Sequence, residues 1–126
     1  MGDLTRNFSI KEFACKDGSV VPKNYQSNVK KLATNLQVLR DHIGQRIHVN
    51  SGYRTPSYNK KVGGASQSQH LYAKAADIRA QTKTPKKLHS IIEKLISGGK
   101  MAQGGLGLYS TFVHYDVRGY KARWQK

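Results

Sequence analysis

Two histidines and two aspartates in the second half of the chain carry side chains that can bind a metal ion or move a proton. His70 is followed seven residues later by Asp77, and His114 is followed two residues later by Asp116. Two imidazoles and one carboxylate are a common set of protein ligands in catalytic zinc sites, where the fourth position is left for water. His70, Asp77 and His114 are therefore candidate ligands. The same ligand types suit non-haem iron, but the chain lacks the longer barrel of strands that we expect around an iron oxygenase, so zinc is preferred.

Each of these residues also has an ordinary structural interpretation. His70 fits a loop histidine, and Asp77 fits a helix cap or an ion pair with a lysine. Residues two apart on a strand point to the same face, so His114 and Asp116 share one face of a predicted strand. Taken alone, that pattern favours an edge strand whose polar face is in solvent. The three other histidines lie in predicted helices or early in a strand and are not assigned to a site (His42, His48, His89).

Two amphipathic helices are predicted to flank these residues. In residues 25–43 the apolar side chains are spaced by three or four, which is typical of a helix, and Gly44 is its expected end. A second helix is expected to begin at Thr84-Pro85 and to end at Gly98, since proline favours the first helical turn. Ser9 and Glu12 have capping-box spacing, which indicates a short helix near the N-terminus.

Short strands are predicted at residues 47–51 and 75–80, with a closing hairpin formed by residues 104–109 and 112–117. Residues 62–69 are small and polar and are interpreted as a loop. The order helix, strand, strand, helix, strand, strand predicts an α+β fold. In that fold helices pack on a small, mainly antiparallel sheet. The length of 126 residues is typical of one domain, so we expect residues 1–126 to form a single domain.

The charge balance is strongly basic, because 22 lysines and arginines face only 7 acidic residues, for a net charge of +15. Such a field attracts polyanions, among them the phosphate-bearing polymers of a bacterial envelope. No phosphate loop, helix-turn-helix or RNA-recognition pattern accompanies the charge, so a specific nucleic-acid partner is not predicted. No apolar run approaches the roughly 20 residues that a membrane span needs. The single cysteine, Cys15, excludes an intramolecular disulfide.

Four segments of the chain match, in order, the motifs of a known enzyme family. They are Ser-Gly-Tyr-Arg-Thr-Pro at 51–56, Gly-Gly-Ala-Ser-Gln-Ser-Gln-His at 63–70, Ala-Ala-Asp-Ile at 75–78 and Phe-Val-His-Tyr-Asp-Val-Arg-Gly at 112–119. From about residue 8 to residue 124 the chain resembles the zinc D-alanyl-D-alanine carboxypeptidase family of peptidoglycan peptidases. That family includes L-alanyl-D-glutamate endopeptidases of bacteriophage lysis systems, and it shares its fold and zinc site with the signalling domain of hedgehog proteins.

The resemblance implies a role for individual residues. His70, Asp77 and His114 correspond to the three ligands of one zinc ion per chain. Arg54, sixteen residues before the first ligand, corresponds to the arginine that binds a substrate carboxylate, a role suited to its planar, two-point fork. An ordinary surface salt bridge is the alternative for Arg54. Further substrate contacts are predicted for three residues whose alternative is a packing or loop-shaping role (Ser68, Tyr53, Tyr109).

The chain departs from many relatives at the catalytic base. Those relatives carry an acidic residue or histidine two or three positions before the last ligand, where this chain has Thr111 and Phe112. Asp116 is the predicted substitute, acting as base and then as acid. Two alternatives stay open: Asp116 is the third ligand with His114 as base, or Asp116 orients a ligand histidine through a hydrogen bond.

The function implied by the resemblance is hydrolysis of peptide bonds in peptidoglycan, as a carboxypeptidase or an endopeptidase. The alternative is a non-catalytic zinc-binding module of the same fold that binds cell wall or another anionic polymer. The N-terminal residues show no signal peptide, which fits a phage lysis enzyme held in the host cytoplasm before its release to the wall, or a virion-associated enzyme. A bacterial origin also stays open, and a monomer is expected.

Overall fold

Three α-helices and five strands make up the regular structure of residues 2–126, which are the residues that the computed structural model describes. Met1, the first residue of the predicted domain, lies outside them. The helices are α1 (Gln26–Ile43), α2 (Pro56–Lys61) and α3 (Pro85–Ser97). The strands are β1 (Ile47–Ser51), β2 (Ala75–Ala80), β3 (Gly105–Leu108), β4 (Val113–Asp116) and β5 (Ala122–Gln125). Short 3₁₀ helices lie at Ile10–Phe13, Lys23–Tyr25 and Gln69–Tyr72.

Both long helices lie where the apolar periodicity predicts them. α1 ends at Gly44, whose φ of 67° is the left-handed conformation that glycine adopts readily at a helix C-terminus. α3 begins after Thr84, whose hydroxyl accepts a hydrogen bond from the backbone N–H of Lys87. In the described part of the chain, no helix is long and apolar enough to cross a membrane.

The predicted capping box also forms. The Glu12 carboxylate accepts a hydrogen bond from the backbone N–H of Ser9 at 2.9 Å, and the 3₁₀ helix Ile10–Phe13 follows. Residues 62–68 contain no helix or strand, as expected for a loop, and the chain then enters the 3₁₀ helix Gln69–Tyr72.

The strands form one sheet in the order β1-β2-β4-β3-β5. Three of its four pairings are antiparallel, and β3 pairs with β5 in parallel. The predicted α+β class with a mainly antiparallel sheet is therefore confirmed. The edge-strand interpretation of residues 113–116 is wrong, because β4 lies at the centre of the sheet.

The strand β5 is absent from the sequence-based prediction. Its residues, Ala-Arg-Trp-Gln, alternate between apolar and polar side chains, but the run is only four residues long and contains no β-branched residue, so its strand signal is weak. Pairing with β3 and contacts with α3 hold the segment in the sheet instead. The extra strand matters because it lies beside the candidate site.

The two faces of the sheet have different roles. One face packs against α1 and α3 and carries fully buried apolar side chains (Ala76, Ile78, Leu106, Val113, Tyr115). The alternating positions carry Asp77, His114 and Asp116, so the candidate site lies on the opposite face. Strand alternation therefore places the hydrophobic core on one face of the sheet and the candidate site on the other.

We expect Glu93→Gln to weaken the attachment of β5 to α3. Arg123 of β5 donates to the two carboxylate oxygens of Glu93 at 2.8 and 2.9 Å, and these bonds lower the pKa of Glu93 from 4.5. The pair is partly exposed, so the variant should lose less than about 1 kcal/mol of unfolding free energy at pH 7. A lowered folded-state pKa stabilises the protein above the unfolded value and loses that effect as the pH falls. Urea unfolding should therefore show a wild-type advantage at pH 7 that shrinks towards pH 3, and a pH-independent difference would contradict the ion-pair role.

Candidate metal centre

Three metal-ligating atoms converge on the site face of the sheet. The Nε2 atom of His70 lies 3.2 Å from Asp77 Oδ1, and the Nδ1 atom of His114 lies 3.1 Å from the same oxygen. The three ligand atoms all lie within 4.8 Å of one another, and all three residues are buried. The structure thus brings together the three residues that the sequence analysis selected as ligands.

Neighbouring backbone and side-chain groups orient the first histidine. His70 lies in the 3₁₀ helix Gln69–Tyr72, and its Nδ1 is 2.7 Å from the carbonyl oxygen of Gly52. Donation of the Nδ1 proton to that oxygen leaves Nε2 as a free acceptor facing Asp77. Ser68 caps the short helix, since its hydroxyl accepts from the backbone N–H of His70 at 3.2 Å.

Strand pairing orients the other two candidate ligands. Asp77 of β2 and His114 of β4 are direct cross-strand partners, so their side chains leave adjacent backbones on the same face. Burial by itself raises the pKa of Asp77, but its contacts with the imidazoles of His114 and His70 outweigh the burial and hold the pKa well below its usual value. An ionised carboxylate beside two imidazole nitrogens is a donor set that zinc prefers, so the residues present fit that ion.

Asp116 lies on the far side of the His114 ring. Its Oδ2 is 2.7 Å from Nε2 of His114, the nitrogen that faces away from Asp77. Arg118 donates to the same carboxylate at 2.8–3.1 Å, and the backbone N–H of Gly105 donates at 2.8 Å. Burial raises the pKa of Asp116, but the bonds from His114 and Arg118 outweigh this effect and lower it.

This placement argues against two of the roles considered for Asp116. The residue is fully buried and does not line the cleft described below, so no water in that cleft reaches its carboxylate. It also contacts the nitrogen of His114 that is turned away from the other ligands, so it is not part of the three-residue cluster. The contacts favour the remaining alternative, in which Asp116 orients His114.

Arg54 is held against the metal-ligand carboxylate. Its Nη2 is 3.4 Å from Asp77 Oδ2, its Nη1 donates to Asn59 Oδ1 at 3.2 Å and its Nε donates to Ser51 Oγ at 3.3 Å. These contacts use three of the five N–H groups of the guanidinium, so two remain for another acceptor. The salt bridge of Arg54 is made inside the site rather than on the open surface, since its side chain is only 15% exposed.

A cleft of about 480 Å³ opens over the cluster. Its lining includes residues of the small and polar loop 62–69 and the rings of Tyr109, Phe112 and Trp124. Among the described residues, three cationic side chains line the cleft (Arg54, Arg118, Lys126), together with one acidic side chain, that of Asp77. The arrangement suits an anionic or carboxylate-bearing ligand.

Two of the three additional substrate-contact predictions lie in the cleft. Ser68 lines it beside His70, and Tyr109 lines it with its ring stacked on Phe112 at a centroid distance of 4.3 Å. Tyr53 is placed elsewhere: it is buried in the core, and its ring packs against Tyr25 at 6.2 Å. The predicted substrate contact of Tyr53 is therefore not supported, because its side chain does not line the cleft.

Three residues around the site were not selected from the sequence. Asn59 is buried and bonded to Arg54, Arg118 is bonded to Asp116, and Trp124 packs against His114. A glycine inside a strand often marks a close approach of another group. Gly107 of β3 is such a glycine, and it is the sequence signal that could have indicated Trp124. A Cβ atom at residue 107 would lie 2.3 Å from the indole Nε1 of Trp124.

Comparison with known proteins gives two matches. A family model described as peptidase M15 matches residues 6–116, which include the three candidate ligands. A relative named zinc D-Ala-D-Ala carboxypeptidase, from Streptomyces albus G, is 39% identical over 64 residues. That segment is 50% of this chain and 25% of the relative, so the match spans about a quarter of the relative's length. The resemblance drawn from the four motifs is thereby confirmed: the chain belongs to the peptidase M15 family.

Proposed function

We propose that the protein is a zinc-dependent peptidase that hydrolyses peptide bonds in bacterial peptidoglycan. The observation that carries the proposal is the convergence of His70, Asp77 and His114 beneath a cationic cleft, in a chain of the peptidase M15 family. The Streptomyces relative, a zinc D-Ala-D-Ala carboxypeptidase by name, supports both the metal and the substrate class. The net charge of +15 favours approach to an anionic cell wall.

The residues around the cleft would have separate roles in binding the substrate and in polarising its scissile carbonyl. Zinc held by the three ligands would polarise the scissile carbonyl and make water more acidic. Arg54 would bind a substrate carboxylate through the two N–H groups that its internal contacts leave free. Tyr109 would donate its O–H to the developing oxyanion, because its oxygen already accepts from Trp124 Nε1 at 2.9 Å and its own proton is available. Ser68 would donate its hydroxyl proton to substrate while its oxygen accepts a hydrogen bond from the backbone N–H of His70.

Asp116 would act through His114. A carboxylate that accepts the second ring proton of a ligand histidine fixes the tautomer and increases the basicity of the ligating nitrogen. Arg118 and the Gly105 N–H would in turn fix the carboxylate. This is a positioning role, and it replaces the predicted role of base in the proposed mechanism.

A second candidate function is a zinc-binding module that binds the cell wall without cutting it. Among the described residues that line the cleft, no carboxylate accompanies Asp77 and no imidazole accompanies the two ligand histidines. Thr111, three residues before the last ligand, is exposed and cannot accept a proton at neutral pH. The lack of a candidate base among these described residues is the observation that favours the non-catalytic binding module.

Digestion of purified peptidoglycan separates the two functions. Zinc-loaded protein should release soluble muropeptides, a chelator should stop the release, and restored zinc should restart it. The masses of the products identify the bond, which is D-Ala-D-Ala, a D-Ala cross-link or L-Ala-D-Glu. Zinc binding and sedimentation with peptidoglycan, without any product, would instead establish the binding module.

We expect Arg54→Lys to reduce cleavage much more than it reduces stability. Lysine keeps the charge but loses the two-point fork, and one charge-assisted hydrogen bond contributes about 1.5–3 kcal/mol, which corresponds to about 10–100-fold in kcat/KM. The measurement compares kcat/KM on a muropeptide with the melting temperature. Arg79→Lys is the control, because Arg79 is an exposed arginine outside the cleft. An unchanged rate for Arg54→Lys would restrict Arg54 to its internal contacts with Asp77 and Asn59.

Where the protein acts stays a prediction. A phage lysis enzyme released from the host cytoplasm, or a virion-associated enzyme, fits the proposed substrate. Lysis of an indicator strain by protein added from outside, compared with expression inside the cell, would test whether access to the wall requires a release step. Sedimentation equilibrium would test the expected monomer.

A further inference from the structure

We propose that Trp124, carried by strand β5, is a positioning residue of the metal site that holds the His114 ring in its ligating orientation. The proposal rests on the proposed zinc function. It goes beyond the matched family segment, which ends at residue 116, whereas β5 spans Ala122–Gln125. The claim therefore concerns a part of this chain that the family match does not cover.

The register of the sheet places Trp124 in the same lateral row as the ligands. Asp77 pairs with His114, His114 pairs with Gly107 and Gly107 pairs with Trp124. Since paired residues share a face, their side chains rise on the site face of the sheet. Trp124 is thus two strands away from His114, with a glycine between them.

The missing side chain of Gly107 allows the indole to reach His114. A Cβ atom at residue 107 would lie 2.3 Å from Nε1 and 2.4 Å from Cε2 of Trp124, so the ring occupies the space above the glycine. Across this gap, the ring centroids of Trp124 and His114 are 4.9 Å apart, with an interplanar angle of 52°. This distance is within the range of favourable aromatic contacts.

Two further contacts fix the indole. Its Nε1–H donates to Tyr109 Oη at 2.9 Å, and the guanidinium of Arg118 lies 5.4 Å from the indole centroid. Arg118 is also the residue that binds the Asp116 carboxylate, which bonds His114. Trp124 therefore acts on His114 directly through ring contact and indirectly through Arg118 and Asp116.

The His114 imidazole is therefore contacted at both ring nitrogens and by two neighbouring rings. Asp77 contacts Nδ1, Asp116 contacts Nε2, His70 lies edge-on at a centroid distance of 5.1 Å and Trp124 packs against the ring. Only 8% of the His114 side chain is exposed. A preorganised ring loses less conformational entropy when it ligates, and exclusion of water strengthens its hydrogen bonds. Removal of the indole should therefore lower metal affinity.

The competing explanation is that Trp124 only covers a glycine and stabilises the sheet. Zinc affinity separates the two, because a purely structural contact changes the melting temperature of metal-free protein and leaves the affinity of the folded protein unchanged. Affinity is measured by competition with a chromophoric chelator on wild-type protein, Trp124→Leu, Trp124→Phe and Tyr120→Leu. Tyr120 is the matched control: its exposed ring lies 5.6 Å from the same Arg118 guanidinium, and it makes no ring contact with His114.

We expect Trp124→Leu to weaken zinc binding by about 10–100-fold, the usual effect of losing an outer-shell partner, and Tyr120→Leu to bind as wild type does. Trp124→Phe keeps a ring beside His114 and should recover part of the loss. Wild-type affinity in Trp124→Leu, with only a lower melting temperature, would overturn the proposal. Failure of wild-type protein to bind zinc would instead overturn the proposed function.

Wild-type protein provides a test that does not depend on the folding of any variant. Trp124 is the single tryptophan of the chain, so its emission reports on the surroundings of His114. Titration with zinc should change that emission with the same midpoint as the chelator competition. Unchanged emission at saturating zinc would contradict contact between the indole and a ligating imidazole.

Discussion

His70→Ala is expected to abolish zinc binding at concentrations that saturate the wild-type protein. The substitution removes one of three converging ligands and leaves Asp77 and His114 alone. Loss of an outer partner typically costs 10–100-fold in metal affinity, so loss of a ligand should cost more than about 100-fold. Zinc content after purification without added metal, and chelator competition, measure the effect directly. Cleavage of peptidoglycan should disappear in parallel.

His42→Ala is the matched control for this variant. His42 is an exposed histidine near the end of α1, and it lies outside the cleft. It should keep full zinc content and full activity. Full zinc occupancy in His70→Ala, at unchanged affinity, would remove His70 from the ligand set and with it the proposed site.

Asp116→Asn is expected to lower zinc affinity by about 10–100-fold and to reduce cleavage along with it. Asparagine is nearly isosteric but neutral, so the charge-assisted bonds from His114 and Arg118 are weakened together. Because the carboxylate is fully buried, the variant should also unfold more easily. Chelator competition and a melting curve, made on the same metal-free preparation, measure both effects.

The same variant tests the base role against the positioning role. A general base contributes on the order of 10²–10⁴-fold in rate without contributing to metal affinity. Wild-type zinc affinity with a rate loss of that size would therefore restore Asp116 as the base, against the geometry described above. Asp41→Asn is the control, since Asp41 is an exposed carboxylate that bonds Arg6 on the surface.

Variants of the cleft arginines are expected to have two effects at once. Arg54 and Arg118 are each bonded to a carboxylate of the site, so the cations position Asp77 and Asp116 as well as attract substrate. Substitution of either arginine will change ligand geometry and substrate binding together. Zinc affinity and KM should therefore be measured on each variant, so that the two effects are separated.

The sequence alone determined the elements whose signals are local. The three-to-four spacing of apolar residues in α1, its glycine end and the Thr-Pro start of α3 depend on neighbours within a few residues. The candidate ligands could also be identified from the sequence, because His70, Asp77 and His114 lie in motifs with specific spacing and residue types. These predictions required no knowledge of which strands are adjacent.

Only the tertiary structure decided which atoms of the site residues contact one another and which strands surround them. Strand periodicity put His114 and Asp116 on one face, but it did not show which ring nitrogen Asp116 contacts, because that depends on Asp77 occupying the other side. It also did not show that β4 is a central strand whose polar face is covered, since burial of that face requires β5 and Trp124. The segment 122–125 has only a short strand signal, a four-residue alternation without a β-branched side chain, and pairing with β3 and the ion pair with Glu93 hold it in the sheet. Long-range pairing of this kind depends on residues far apart in the chain, and local pattern does not encode it.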